Sequence, residues 1–103
     1  MTLRFLPAAE ADVAAAIAWY DAQSDGLGGA VLEELNATLE RILTGPQRYP
    51  KVQGSTRRAL LRRFPYAVYF REESAQIVIF AVFHQRRGPQ ALRARIDNPS
   101  SNL

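Results

Sequence analysis

The sequence predicts an α+β fold, on three observations. Apolar residues recur at helical spacing in two stretches before residue 45, three runs between residues 57 and 84 are apolar at alternate or at all positions, and turn residues separate those runs at hairpin intervals. The expected order is an N-terminal strand, an antiparallel helix hairpin packed on an antiparallel sheet of three further strands, and a short C-terminal helix or tail. A chain of 103 residues supports one core, so one domain is expected over residues 1–96 and a flexible tail over 97–103.

The N-terminal strand rests on "TLRFL", where Leu3 and Phe5 alternate with Thr2 and Arg4. Pro7 can open a helix, because at the first helical position its missing N–H costs nothing. In "PAAEADVAAAIAWYDAQ" Val13, Ala16, Ile17 and Tyr20 fall three and four apart, and Glu10 and Asp12 complement the positive end of the helix dipole. "SDGLGG" breaks the pattern. Helical spacing resumes with Val31, Leu32, Leu35, Leu39, Ile42 and Leu43 on one stripe, and Gly45-Pro46 stops it. The segment "GPQRYPKVQGST" reads as a loop. Pro65 and "EESA" then separate the strand runs "RRALLRRF", "YAVYFR" and "AQIVIFAVFH".

The last run is apolar at both parities. Simple alternation puts Ile77, Ile79 and Phe83 on one face, and Val78, Phe80 and Val82 on the other. Such a strand is central and covered twice. The helix hairpin covers one face; the second is covered either by the loop and tail or by a partner. In the first run, Arg57-Arg58 and Arg62-Arg63 place one guanidinium of each pair on each face, a geometry suited to phosphate or carboxylate recognition or to protecting an edge strand.

Charge is divided along the chain. Residues 1–45 hold two basic and seven acidic residues, a net of −5, and residues 46–103 hold eleven basic and three acidic, a net of +8. That asymmetry fits an anionic partner, nucleic acid or acidic protein, and equally a solvated basic face. The chain has no cysteine, hence no disulfide and no thiolate metal site, and a cytoplasmic location is expected. The first dozen residues include acids and lack a signal or membrane segment, so no membrane partner is expected. Phosphate-cradling glycine loops, zinc ligand sets and nucleophile elbows are missing, so no metal or other cofactor is expected.

The stretch "AVFHQRRGP" carries the only histidine, His84, beside Arg86 and Arg87. An imidazole with adjacent arginines can serve as base towards a ribose 2′-OH while the guanidinium groups hold the phosphate. No convincing proton donor accompanies it, since Glu72, Glu73 and Asp97 are the only acids after residue 46. A structural or binding role for His84 stands beside the catalytic one.

The strings "AIAWYDAQSDGLG", "ILTGPQRYP", "RRALLRRFPYAVYF" and "AVFHQRRGP", in this order and spacing, cover nearly all of residues 3–95. In them the chain resembles the RelE/ParE superfamily, the toxins of type II toxin–antitoxin systems. The resemblance implies an acidic antitoxin whose C-terminal segment wraps the toxin, with Val78, Phe80, Val82, Arg58 and Arg62 as expected antitoxin contacts, and operator DNA reached only through that antitoxin. The RelE branch cuts messenger RNA on the ribosome, and the ParE branch poisons DNA gyrase. The tyrosine of RelE-like sites falls near Leu92 here and is missing. "HQRRGPQALRARI" looks more like the ParE branch, whose C-terminal segment is implicated in gyrase inhibition, so His84, Arg86, Arg87, Arg93 and Arg95 are the expected target contacts. The resemblance thus implies a non-enzymatic gyrase poison. Its alternatives are a ribosome-dependent endonuclease using His84 with Arg63, Arg86 and Arg87, and a degenerate member that keeps only antitoxin binding and autoregulation.

Overall fold

The computed structural model describes residues 1–99. Of the tail expected over 97–103, Asp97 closes the last helix, and residues 100–103 lie outside the described residues. In chain order the elements are β1 (Thr2–Phe5), α1 (Pro7–Gln23), α2 (Leu27–Thr44), a 3-10 turn (Pro46–Arg48), β2 (Lys51–Gln53), β3 (Thr56–Leu60), β4 (Tyr66–Glu73), β5 (Gln76–His84) and α3 (Pro89–Asp97). The expected α+β class is what the structure shows.

The five strands form one sheet in the order β1-β5-β4-β3-β2. β5 is central, as its two-sided apolar run requires, and it pairs antiparallel with β4. The N-terminal strand lies on its other side, parallel to it, from Thr2↔Gln76 to Phe5↔Ile79. The connection that this parallel pair needs runs through both helices and the strands β2 to β4. The Leu6 N–H donates to Ile79 O at 3.0 Å and ends this ladder, so β5 from Phe80 onward has no strand on that side.

The sheet differs from the expected meander in three places. Lys51–Gln53, expected as loop, is a short edge strand, because Gly54-Ser55 makes a two-residue turn back into β3. β3 ends at Leu60, so Arg62 and Arg63 stand on the β3–β4 connection and not on two faces of a strand. β5 is also bulged: Tyr69 pairs with Ala81 and Phe70 with Ile79, leaving Phe80 without an opposite residue. One extra residue inverts the parity beyond it. Val82 therefore joins Ile77 and Ile79 in the helix-side core, and Phe83 lies on the far face with Ala67, Tyr69, Ala81 and Leu92, the reverse of simple alternation.

The helix hairpin covers the first face. On α1 the fully buried positions are Ala8, Ala9 and Ala16, small side chains that let the helix lie close to the sheet; Val13 and Tyr20, expected on the buried stripe, are half-buried and pack at its margin. α2 buries Val31, Leu35, Leu39 and Ile42 as its stripe predicts, while Leu32 faces outward, 41% exposed. The helices approach closely at their turn: the Gly28 N–H donates to Asp21 Oδ1 at 2.7 Å, and a Cβ there would stand 2.7 Å from Ile17 O. Only glycine fits that crossing. The second face is covered by α3 through Leu92, so the chain supplies part of its own second layer.

Candidate functional site

The far end of β5 is where the sequence-predicted residues gather, and it is held by an ion pair between helices. Arg95 on α3 is 2% exposed. Its Nη1 and Nη2 donate to Asp12 Oδ2 and Oδ1 at 2.8 and 3.0 Å, a bidentate fork. Nη1 also donates to Phe80 O at 3.0 Å, and the Val82 N–H donates to Asp12 Oδ2 at 3.0 Å. These are backbone groups of β5 just past the end of β1. The pair thus satisfies the bare strand edge and ties α1 to α3 across it. The guanidinium lies 4.9 Å from the Phe83 ring centre. Arg95 was expected at the target surface. Its place is structural, because only a carboxylate brought in from α1 stabilises a buried charge there.

Beyond the strand the chain turns, with the Arg87 N–H donating to His84 O at 3.0 Å. Arg86, Arg87 and Arg93 are exposed. The Arg87 guanidinium stacks over the Phe83 ring at 3.9 Å. His84 is half-buried, its ring edge-on to Tyr66 at 5.3 Å. Its Nδ1 accepts the Arg86 N–H at 3.0 Å, which places the proton of the neutral ring on Nε2. The ring borders two clefts, of about 520 and about 280 Å³. Among the described residues the one carboxylate on either is Asp12, and both its oxygens are taken up by Arg95 and the Val82 N–H. Arg63 stacks on Phe64 and lines neither cleft. The structure therefore brings His84, Arg86 and Arg87 together and leaves Arg63 and Arg95 out of that group.

Sequence reasoning missed the aromatic wall of these clefts. Trp19, 57% exposed, meets Tyr20 edge-on at 4.9 Å, and Tyr20 meets Phe64 and Tyr66 at 5.1 and 6.1 Å. Burial, and secondarily the neighbouring Tyr20 hydroxyl, push the Tyr66 pKa up. The only tryptophan of the chain, on the solvent side of an alanine-rich helix, was the available signal.

The expected antitoxin contacts are dispersed. Val78, Phe80 and Val82 are only 1%, 6% and 5% exposed, and the bulge sends Val82 to the opposite face from Phe80, over which the Arg71 guanidinium lies at 4.7 Å. They do not form an open apolar strip. Arg62 is exposed beside α2, where its N–H donates to Glu34 Oε2 at 3.1 Å, whereas Arg58 stands on the far face of the sheet opposite Tyr69. The open apolar surface is instead a groove of about 370 Å³ between α1 and α2, lined by Phe5, Val13, Ile17, Leu32, Leu35 and Leu39.

Among the described residues no cluster of three or more histidines and carboxylates could hold a metal, and no helix is long and apolar enough to cross a membrane. Residues 3–89 match the family described as the ParE toxin of the type II toxin–antitoxin system parDE. No curated protein matches the sequence. The fold is similar to that of a solved chain from the chromosomal ParDE toxin–antitoxin system of P. aeruginosa, with a TM-score of 0.73, 82% of this chain and 95% of that chain covered, and 18% identity. With the greater part of its length matched, the chain belongs to the ParE toxin family of type II toxin–antitoxin systems.

Proposed function

We propose that this toxin arrests growth by binding DNA gyrase and stalling its cleaved-DNA state, and that an acidic antitoxin neutralises it. The observation that carries the reading is the segment after β5. Arg86, Arg87 and Arg93 are exposed on a turn and helix whose position is locked by the buried Arg95–Asp12 fork, a preorganised basic surface. The same residues speak for binding over catalysis. A general base needs a partner that gives or takes the second proton, and Asp12, the one carboxylate lining the His84 clefts among the described residues, is consumed in holding α3.

The antitoxin reading follows the surface that is open. An amphipathic segment with its apolar side in the α1–α2 groove and acidic residues near Arg62 fits the structure better than one laid along β5. Arg58, on the other face, falls outside that surface.

Purified toxin is expected to inhibit gyrase supercoiling and to accumulate cleaved DNA, and combined replacement of Arg86, Arg87 and Arg93 by alanine to abolish both while the chain stays folded. Undiminished supercoiling at excess toxin would sink the proposal. An immediate stop in translation, relieved by His84→Ala, would instead establish the endonuclease alternative.

A further inference from the structure

The aromatic wall at the end of α1 forms a site of its own. The two adjoining clefts there, of about 520 and about 280 Å³, share Trp19, Tyr66 and His84. Tyr20 and Pro65 border the larger, and Ala15 and Ala16, one turn before Trp19, border the smaller, where bulkier side chains would fill the space. The indole of Trp19 is 57% exposed and meets Tyr20 only edge-on, so a broad aromatic face stays open to solvent. The walls are fixed. The Gln85 N–H donates to Pro65 O at 2.8 Å and ties the β3–β4 connection to the end of β5, while Asp12 anchors α1 to the same strand.

The polar groups of these walls are free as well. His84 uses Nδ1 to accept the Arg86 N–H, which leaves its Nε2–H as an unengaged donor. Among the described residues the hydroxyls of Tyr20 and Tyr66 are likewise bonded to no protein group, and only Arg95 Nε is both buried and without a partner. The three groups are therefore open to the clefts and not sealed behind them. Charge there has one sign. Asp12 is neutralised by Arg95, and the guanidinium groups of Arg86 and Arg87 stand at the borders of the larger and the smaller cleft.

We propose that this site takes an unpaired base of a nucleic-acid strand, stacked on Trp19 and hydrogen-bonded by His84 and Tyr66, with the strand's phosphates along the basic border. An open aromatic face beside a positive groove holds single strands whatever their sequence, because every base has a flat face to stack. An imidazole N–H that donates and a phenol that donates or accepts suit the ring nitrogens and exocyclic groups along a base edge. Proline-rich peptides also suit aromatic walls, but they bring no charge to meet the two guanidinium groups. The inference goes beyond the gyrase reading, which uses the exposed arginines and gives Trp19, Tyr20 and Tyr66 no part.

Trp19 is the only tryptophan of the chain and so reports on its own site. A short oligodeoxyadenylate is titrated into the full chain while tryptophan fluorescence is read, and the same strand carrying a dye is followed by anisotropy. Neither gyrase nor antitoxin is present, so failure here is separate from failure of the gyrase reading. The single strand quenches the fluorescence; an abasic strand of equal length and charge, and a duplex whose bases face one another, leave it unchanged. Trp19→Ala exchanges an exposed residue for a good helix former and keeps the fold, and its affinity for the strand falls roughly tenfold. Tyr66→Phe, which removes only the hydroxyl, binds roughly threefold more weakly. Leu32→Ala, exposed in the other groove, binds as the wild type does. Wild-type affinity in Trp19→Ala overturns the proposal, and so does an abasic strand that binds and quenches as well as the base-bearing one. Tighter binding of a proline-rich peptide at Trp19 overturns it too, and assigns the wall to a peptide.

Discussion

Asp12 and Arg95 lie 83 residues apart in sequence and share two hydrogen bonds with each other and two with the edge of β5. Removing one partner leaves the other charged and nearly dry, a loss of about 3–5 kcal/mol, a large part of the roughly 5–15 kcal/mol available to a domain. Asp12→Ala and Arg95→Ala are each expected to show that loss in urea unfolding, and the double variant much less than their sum. Arg95→Lys recovers only part, because an ammonium group cannot span both carboxylate oxygens and the Phe80 carbonyl. Strict additivity in the double-mutant cycle would show that the pair is not a unit. Neither residue announces this role in sequence. Asp12 reads as a helix-dipole acid although it sits past the first turn of α1, and Arg95 as one more arginine in a basic tail. Proximity created by the fold has no local signal.

At the scale of elements, the β4–β5 turn stores strain that can be released. Ser74 and Ala75 both adopt positive φ, +49° and +61°, in a two-residue turn between Glu73 and Gln76. Turns of this shape favour Asn-Gly, since a Cβ crowds the left-handed conformation. Replacing Ser74-Ala75 by Asn-Gly is expected to raise stability by about 0.5–1 kcal/mol, with part of the relief offset by the freer unfolded chain. Thermal unfolding should move up by several degrees, and an unchanged or lower midpoint would contradict the strain argument. The positions of α1, α2 and the three long strands were legible because spacing and punctuation are local. The five-strand order was not, because pairing β1 with β5 joins the two ends of the fold. Nor was the Phe80 bulge, which adds no residue type that sequence marks, yet decides which side of the sheet Val82, Phe83 and His84 occupy.

For the whole molecule, the division of charge along the chain becomes a division in space. Residues 1–45 contribute both long helices and a net of −5, and the remainder contributes four of the five strands, α3 and a net of +8. The Debye length at physiological ionic strength is about 8 Å, well below the smallest molecular extent of 21 Å. The layers therefore present themselves separately to a large charged surface, and the net +3 understates the attraction of the sheet side. Cation-exchange chromatography at pH 7 can resolve this with isolated single charges. Glu33→Gln and Glu40→Gln, exposed on α2, each add one unit of net charge and should leave the eluting salt concentration nearly unchanged. Arg58→Gln and Arg86→Gln each remove one unit and should lower it clearly. Elution that followed net charge alone, with equal and opposite shifts for the two pairs, would mean that the layers do not act as distinct faces.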